Sequence, residues 1–128
     1  MLRLSIAQSG SLMIALALLM AACGSAGPQA REFRVEIKEG KPAKGPTVIK
    51  VNQDDTITLR IATDKPGLVH VHDYNIAQQA MPNQPAVITF TANTAGRFNI
   101  ALHGYGQATE ASQEVDEIVI GALEVRPR

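Results

Sequence analysis

The chain has three histidines among its 128 residues, and all of them fall in two short stretches: Val69-His70-Val71-His72-Asp73-Tyr74 and Leu102-His103-Gly104-Tyr105. In an extended strand, residues two apart share a face with Cα atoms about 7 Å apart. The imidazoles of His70 and His72 can therefore converge on one ion. Neutral imidazole suits Cu(II), Zn(II) and Ni(II), and an oxygen from Asp73 or a loop glutamate would complete the shell. Asp73 points to the opposite face of an ideal strand, so it serves only if the strand ends at His72. The same pattern also describes two solvated polar residues above a core face made by Val69 and Val71. His103 adds weight to the ligand reading. It ends a stretch in which Phe98, Ile100 and Leu102 share one face and Asn99, Ala101 and His103 the other. Met81, in a loop after the first histidine pair, offers a soft thioether, a group better suited to filling a gap than to completing this nitrogen set.

Cys23 is the only cysteine, and what precedes it is a targeting signal. Arg3 gives a basic start, and residues 12–22 are uninterruptedly apolar or small. As a helix this stretch would span about 16 Å, against roughly 30 Å of bilayer hydrocarbon. Met20-Ala21-Ala22-Cys23-Gly24 resembles the lipobox of bacterial lipoproteins, with Met20 where leucine is usual. The resemblance implies a diacylglycerol on Cys23, which becomes the new N-terminus; the plainer reading is ordinary cleavage after Ala22. Acyl chains contribute roughly 0.8 kcal/mol per buried methylene, so two or three hold a protein on a membrane without a spanning helix. Residues 24–30 are small, polar and rich in glycine and proline, as in a tether. The expected organisation is a signal peptide at 1–22, a flexible tether at 23–30 and one domain at 31–128. The expected location is the cell envelope, with the domain facing the periplasm or the exterior.

The remaining composition narrows the function classes. Twelve basic and twelve acidic residues are spread along the chain, and tryptophan is absent. No basic stripe exists to neutralise phosphates, and no run of rings exists for base stacking, so nucleic acid is not an expected ligand. Gly-X-Ser-X-Gly, His-Glu-X-X-His and phosphate-cradling glycine loops are all missing, so an enzyme is not expected. The length allows one hydrophobic core.

The elements that must position the histidines read as strands. Phe33, Val35 and Ile37 alternate with Arg34, Glu36 and Lys38, and Ile57, Leu59 and Ile61 alternate with Thr56, Thr58 and Arg60. Further strands are expected at 47–51, 68–74, 86–91, 97–103 and 117–126, separated by turn signals such as Asp64-Lys65-Pro66-Gly67. In the last strand Ile118 and Ile120 precede Gly121, while Leu123 and Val125 follow in the opposite phase, which predicts a β-bulge. Helix is expected at most over 107–113. About seven short strands in roughly a hundred residues predict an all-β, antiparallel Greek-key sandwich. Ile57, Leu59, Ile61, Phe90, Phe98, Ile100 and Val125 are its expected core.

Four segments together carry a resemblance over nearly all of 32–127: residues 51–57 with their acidic turn, residues 70–76 with the histidine pair, Phe90 to Phe98 with its Gly96-Arg97-Phe98 strand start, and the closing residues 120–127. The chain resembles the cupredoxin-like domains of exported bacterial proteins. The resemblance implies the sandwich fold and, in blue-copper members, a ligand cysteine that would fall at about Leu102, followed by histidine and methionine. This chain has leucine there, and residues 104–116 contain neither histidine nor methionine. A blue-copper centre needs a thiolate with two histidines, so blue-copper electron transfer is not expected. A family histidine carries over to His70 or His72, and His103 stands beside the lost cysteine. Two readings follow: a lipid-anchored domain binding copper, or less favourably zinc, through His70, His72 and His103, and a metal-free structural or protein-interaction domain that kept the sandwich.

Overall fold

A computed structural model describes residues 26–106 and 116–128. The expected signal peptide, Cys23 and the 107–113 window lie outside the described residues. Among these residues nine strands form in chain order: β1 (Ala30–Lys38), β2 (Lys41–Lys44), β3 (Val48–Asn52), β4 (Thr56–Thr63), β5 (Gly67–Val71), β6 (Ile76–Ala80), β7 (Ala86–Thr91), β8 (Gly96–His103) and β9 (Glu117–Arg126). They pack as two sheets, β2-β1-β4-β7 and β3-β9-β8-β5-β6. Among the described residues there is no helix.

Alternation builds the core as expected. Ile57, Leu59 and Ile61 of β4 are sealed while Thr56 and Arg60 face water, and Val35 and Ile37 of β1 join them. From the other sheet come Val69 and Val71 of β5, Phe98, Ile100 and Leu102 of β8, and Leu123 and Val125 of β9. Two inner faces pressed together over branched aliphatic side chains are what a sandwich requires. Phe90 differs from its expected place: it is half-buried and packs against the core's margin, its ring 4.9 Å from that of Tyr74.

The pairing is a correction to the antiparallel expectation. Five pairings are antiparallel (β1 with β2, β4 with β7, β5 with β6, β5 with β8, β8 with β9). β1 and β4 run parallel, as do β3 and β9, so both sheets are mixed. Two strands, β2 and β6, were not expected. β2 carries Pro42 at a sheet edge, where a missing donor is tolerated. β6 is an edge strand with one buried residue, Ala80, and so lacks the alternation that marks a strand in sequence.

β5 ends at Val71, three residues before its expected end at Tyr74. A turn over 72–75 follows, with Asp73 and Asn75 at φ 64° and 50°, a left-handed conformation these two residue types tolerate. Tyr74 holds the turn down. Its ring meets Phe98 edge-on at 5.1 Å, and its hydroxyl donates to the carbonyl of Thr94 at 3.1 Å.

Residues at the end of the expected tether are held by the domain. Ala30 already belongs to β1, and the backbone of Gln29 is fixed on both sides: its N–H donates to Asp55 Oδ1 at 2.9 Å and its carbonyl accepts from Thr56 N–H at 2.9 Å. Arg128 donates to the carbonyl of Ala26 and to Asp55, so both ends of the domain meet at one corner.

Candidate metal centre

The histidines stand on the outer face of the five-stranded sheet. Val69 and Val71 turn inward, so His70 points outward, and in register it lies opposite Ala101 of β8. His103 ends β8 on the same face, opposite Leu68. His72 is the first residue beyond β5, yet it keeps the strand's phase because its N–H still donates to the carbonyl of Asn99 at 3.0 Å. Ala101 between them is small and fully buried, which lets the three rings lean together over it. Ring centroids lie 4.6 Å apart for His70 and His72, 5.6 Å for His70 and His103, and 6.3 Å for His72 and His103.

One nitrogen from each ring lies within 4.8 Å of the others. The Nε2 atoms of His72 and His103 are buried and have no hydrogen-bond partner. Buried polar atoms are normally paired, so two orphans in one cluster call for an explanation. Three neutral imidazoles converging with unpaired nitrogens fit a divalent transition metal, which would replace the missing partners. Burial pushes the pKa of His70 down, the neighbouring His72 and His103 push the same way, and Glu117 opposes them. Deprotonated imidazole is the form that ligates.

One residue beside this cluster was not singled out from the sequence. Glu117, the first residue of β9, pairs in register with His103. Its Oε1 is 3.4 Å from His72 Nε2 and its Oε2 is 3.8 Å from His103 Nε2. The signal that would have found it was weak, because a glutamate at the end of a long loop declares no partner until the β8–β9 register is known. Asp73, the carboxylate considered from the sequence, is exposed in its turn and does not belong to the cluster of converging ligand atoms. Met81 sits beyond β6 at the β6–β7 turn, 39% exposed, and its sulfur accepts only a long 3.9 Å contact from Gln79 Nε2. At the position the resemblance gave to a cysteine, Leu102 is fully buried and faces Val69 in the core. A blue-copper thiolate has no place there.

No protein-family model and no curated protein matches the sequence. Solved structures do. A chain from a heme-copper terminal oxidase dimer aligns with a TM-score of 0.60 and 17% identity over 78% of this chain, which spans 66% of that chain's length. A copper binding protein solved in its apo form by NMR gives 0.55 and 17% over 80% of this chain and 100% of that one. The periplasmic domain of cytochrome oxidase subunit II (CoxB) from Bradyrhizobium japonicum gives 0.51 and 11% over 75% of this chain and 83% of the other. At such identities the likeness concerns the path of the backbone. The two mixed sheets, their face-to-face core and these similarities agree that this chain folds as a cupredoxin-like β-sandwich.

Proposed function

We propose that this domain binds Cu(II), and less favourably Zn(II), through His70, His72 and His103, and serves metal handling in the cell envelope without blue-copper electron transfer. The observation that carries the reading is the pair of buried, unpartnered Nε2 atoms among three imidazoles whose ligand atoms lie within 4.8 Å. The domain acts as a binding module and has no catalytic residue in this reading. Two of the similar structures come from a copper binding protein and a periplasmic oxidase domain, which supports both copper and an exported location. The apolar segment running into Cys23 supports a lipid anchor that holds the domain on a bacterial membrane.

The metal-free alternative has its own observation. Leu68 and Val119, on the same outer face as the histidines, are 39% and 54% exposed, apolar surface that a protein partner would cover. Equilibrium dialysis of the tag-free domain against Cu(II) and Zn(II), followed by elemental analysis, separates the two. One Cu(II) per chain with a weak ligand-field spectrum and no intense blue band is the expected result. The double substitution His70→Ala and His72→Ala should abolish binding, because His103 alone offers one nitrogen and no chelate. Wild-type copper uptake by that variant would overturn the histidine assignment, and no uptake by the wild type would leave the interaction surface as the domain's function.

A further inference from the structure

We infer that the Glu117 carboxylate is a fourth ligand of this centre, which makes it a three-nitrogen, one-oxygen site selective for a divalent ion over Cu(I). The inference rests on the copper-binding reading above and adds a residue and an oxidation state to it.

The backbone places Glu117 deliberately close. Along β8 and β9 the register runs from Gly96 opposite Val125 to Ile100 opposite Gly121, and then shifts by one, so that Ala101 faces Val119 and His103 faces Glu117. Ile120 is the extra residue of the bulge. Without it, His103 would lie opposite Ile118, and the carboxylate would fall one position past the histidine. The bulge is therefore what brings an acid into line with the imidazoles.

The contact distances distinguish a ligand from a hydrogen-bond acceptor. A hydrogen bond from imidazole N–H to a carboxylate runs about 2.7–3.2 Å with a near-linear hydrogen. The observed separations are 3.4 and 3.8 Å, and neither Nε2 makes a hydrogen bond. Two donor atoms bound to the same tetrahedral ion at roughly 2.0–2.1 Å lie about 3.3–3.4 Å apart. The Glu117–His72 spacing has that value, while the Glu117–His103 spacing of 3.8 Å and histidine separations of up to 4.8 Å exceed it, so the side chains must draw in around an ion. The side chains of His72, His103 and Glu117 are 33%, 25% and 37% exposed, although both Nε2 atoms are covered.

The donor set then decides the metal. Cu(I) favours thiolate and thioether sulfur, while imidazole with carboxylate favours Cu(II) and Zn(II). One carboxylate also cancels half the charge of a divalent ion in a partly desolvated site, which a neutral histidine set does not do.

The test compares wild type with Glu117→Gln, whose amide oxygen still accepts a hydrogen bond but is uncharged and a poor ligand. Cu(II) affinity is measured by competition with a chelator, Cu(I) affinity likewise under reducing conditions, and the Cu(II) environment by electron paramagnetic resonance. In the variant, Cu(II) affinity should fall by about 100-fold, since losing even outer partners of a metal ligand costs about 10–100-fold. The resonance spectrum should change with it, while Cu(I) affinity stays within about threefold, as expected if the carboxylate matters only to the harder ion. Wild-type Cu(II) affinity and spectrum in Glu117→Gln would overturn the ligand assignment and leave the histidine site standing. An equal loss of Cu(I) affinity would overturn the selectivity. A wild type that binds no copper would overturn the underlying reading itself. Thermal melting of the metal-free proteins checks that the partly exposed substitution leaves the fold intact.

Discussion

Asp55 makes three hydrogen bonds through one buried carboxylate. Its carboxylate is 1% exposed and accepts from the N–H groups of Gln29 and Asn52 and from the Arg128 guanidinium. Burial alone would raise its pKa, but the two backbone donors and Arg128 together hold it below the usual carboxylate range. A depressed folded-state pKa contributes stability that is complete above the unfolded value of about 4 and is lost as pH falls through the folded value. Urea denaturation from pH 7 down to pH 2 should therefore show stability falling below about pH 4. In Asp55→Ala that component of the slope should be missing. The same variant should lose about 2 kcal/mol at pH 7, because two backbone N–H donors are left without their acceptor and Arg128 loses its ion pair. An unchanged midpoint in that variant would show the corner to be dispensable. At this scale the sequence was partly legible. The two-residue spacing of His70 and His72 survives in the structure because His72 keeps its backbone bond to Asn99 even though β5 has ended. Glu117 and Asp55 were not legible, since each acquires its partners from strands far along the chain.

β9 is the element on which most of the domain's geometry depends. It pairs parallel with β3 on one side and antiparallel with β8 on the other, and its bulge changes which face each side chain takes. Gly121 sits at that change because a Cβ there would lie 2.9 Å from the carbonyl oxygen of Thr47, the atom that accepts the Ala122 N–H. Gly121→Ala should push the start of β3 away and cost about 1–3 kcal/mol, the usual penalty of forcing atoms into a packed site. Chemical denaturation would show it, and a variant as stable as wild type would mean that β3 yields freely. The bulge itself was readable from the phase change between Ile120 and Leu123. So were the seven strands with an alternating or continuous apolar pattern. β2 and β6 escaped because an edge strand exposed on most of its length needs no such pattern. The parallel pairings of β1 with β4 and of β3 with β9 escaped for a different reason. Alternation tells which face of a strand is buried and says nothing of which distant strand lies beside it.

For the molecule as a whole, the decisive question is how the chain is attached, and Cys23 carries it. Mass spectrometry of the mature N-terminus from the native host should find an acylated Cys23. An unmodified mature chain starting there would make the protein a free exported domain. The structure shows where the first described residues join the domain. The chain enters at the corner where Arg128, Asp55 and Gln29 meet, beside the Gly96 end of β8, since Gly96 is paired with Val125. His103 is at the other end of that strand, about 23 Å away at roughly 3.3 Å per residue. Only residues 24 and 25 separate Cys23 from Ala26, whose carbonyl is already held by Arg128. The length of β8 thus separates the imidazoles from the corner at which the chain enters the domain. Were Cys23 acylated, an ion held by these imidazoles would sit one strand's length from the point of attachment, facing the aqueous side.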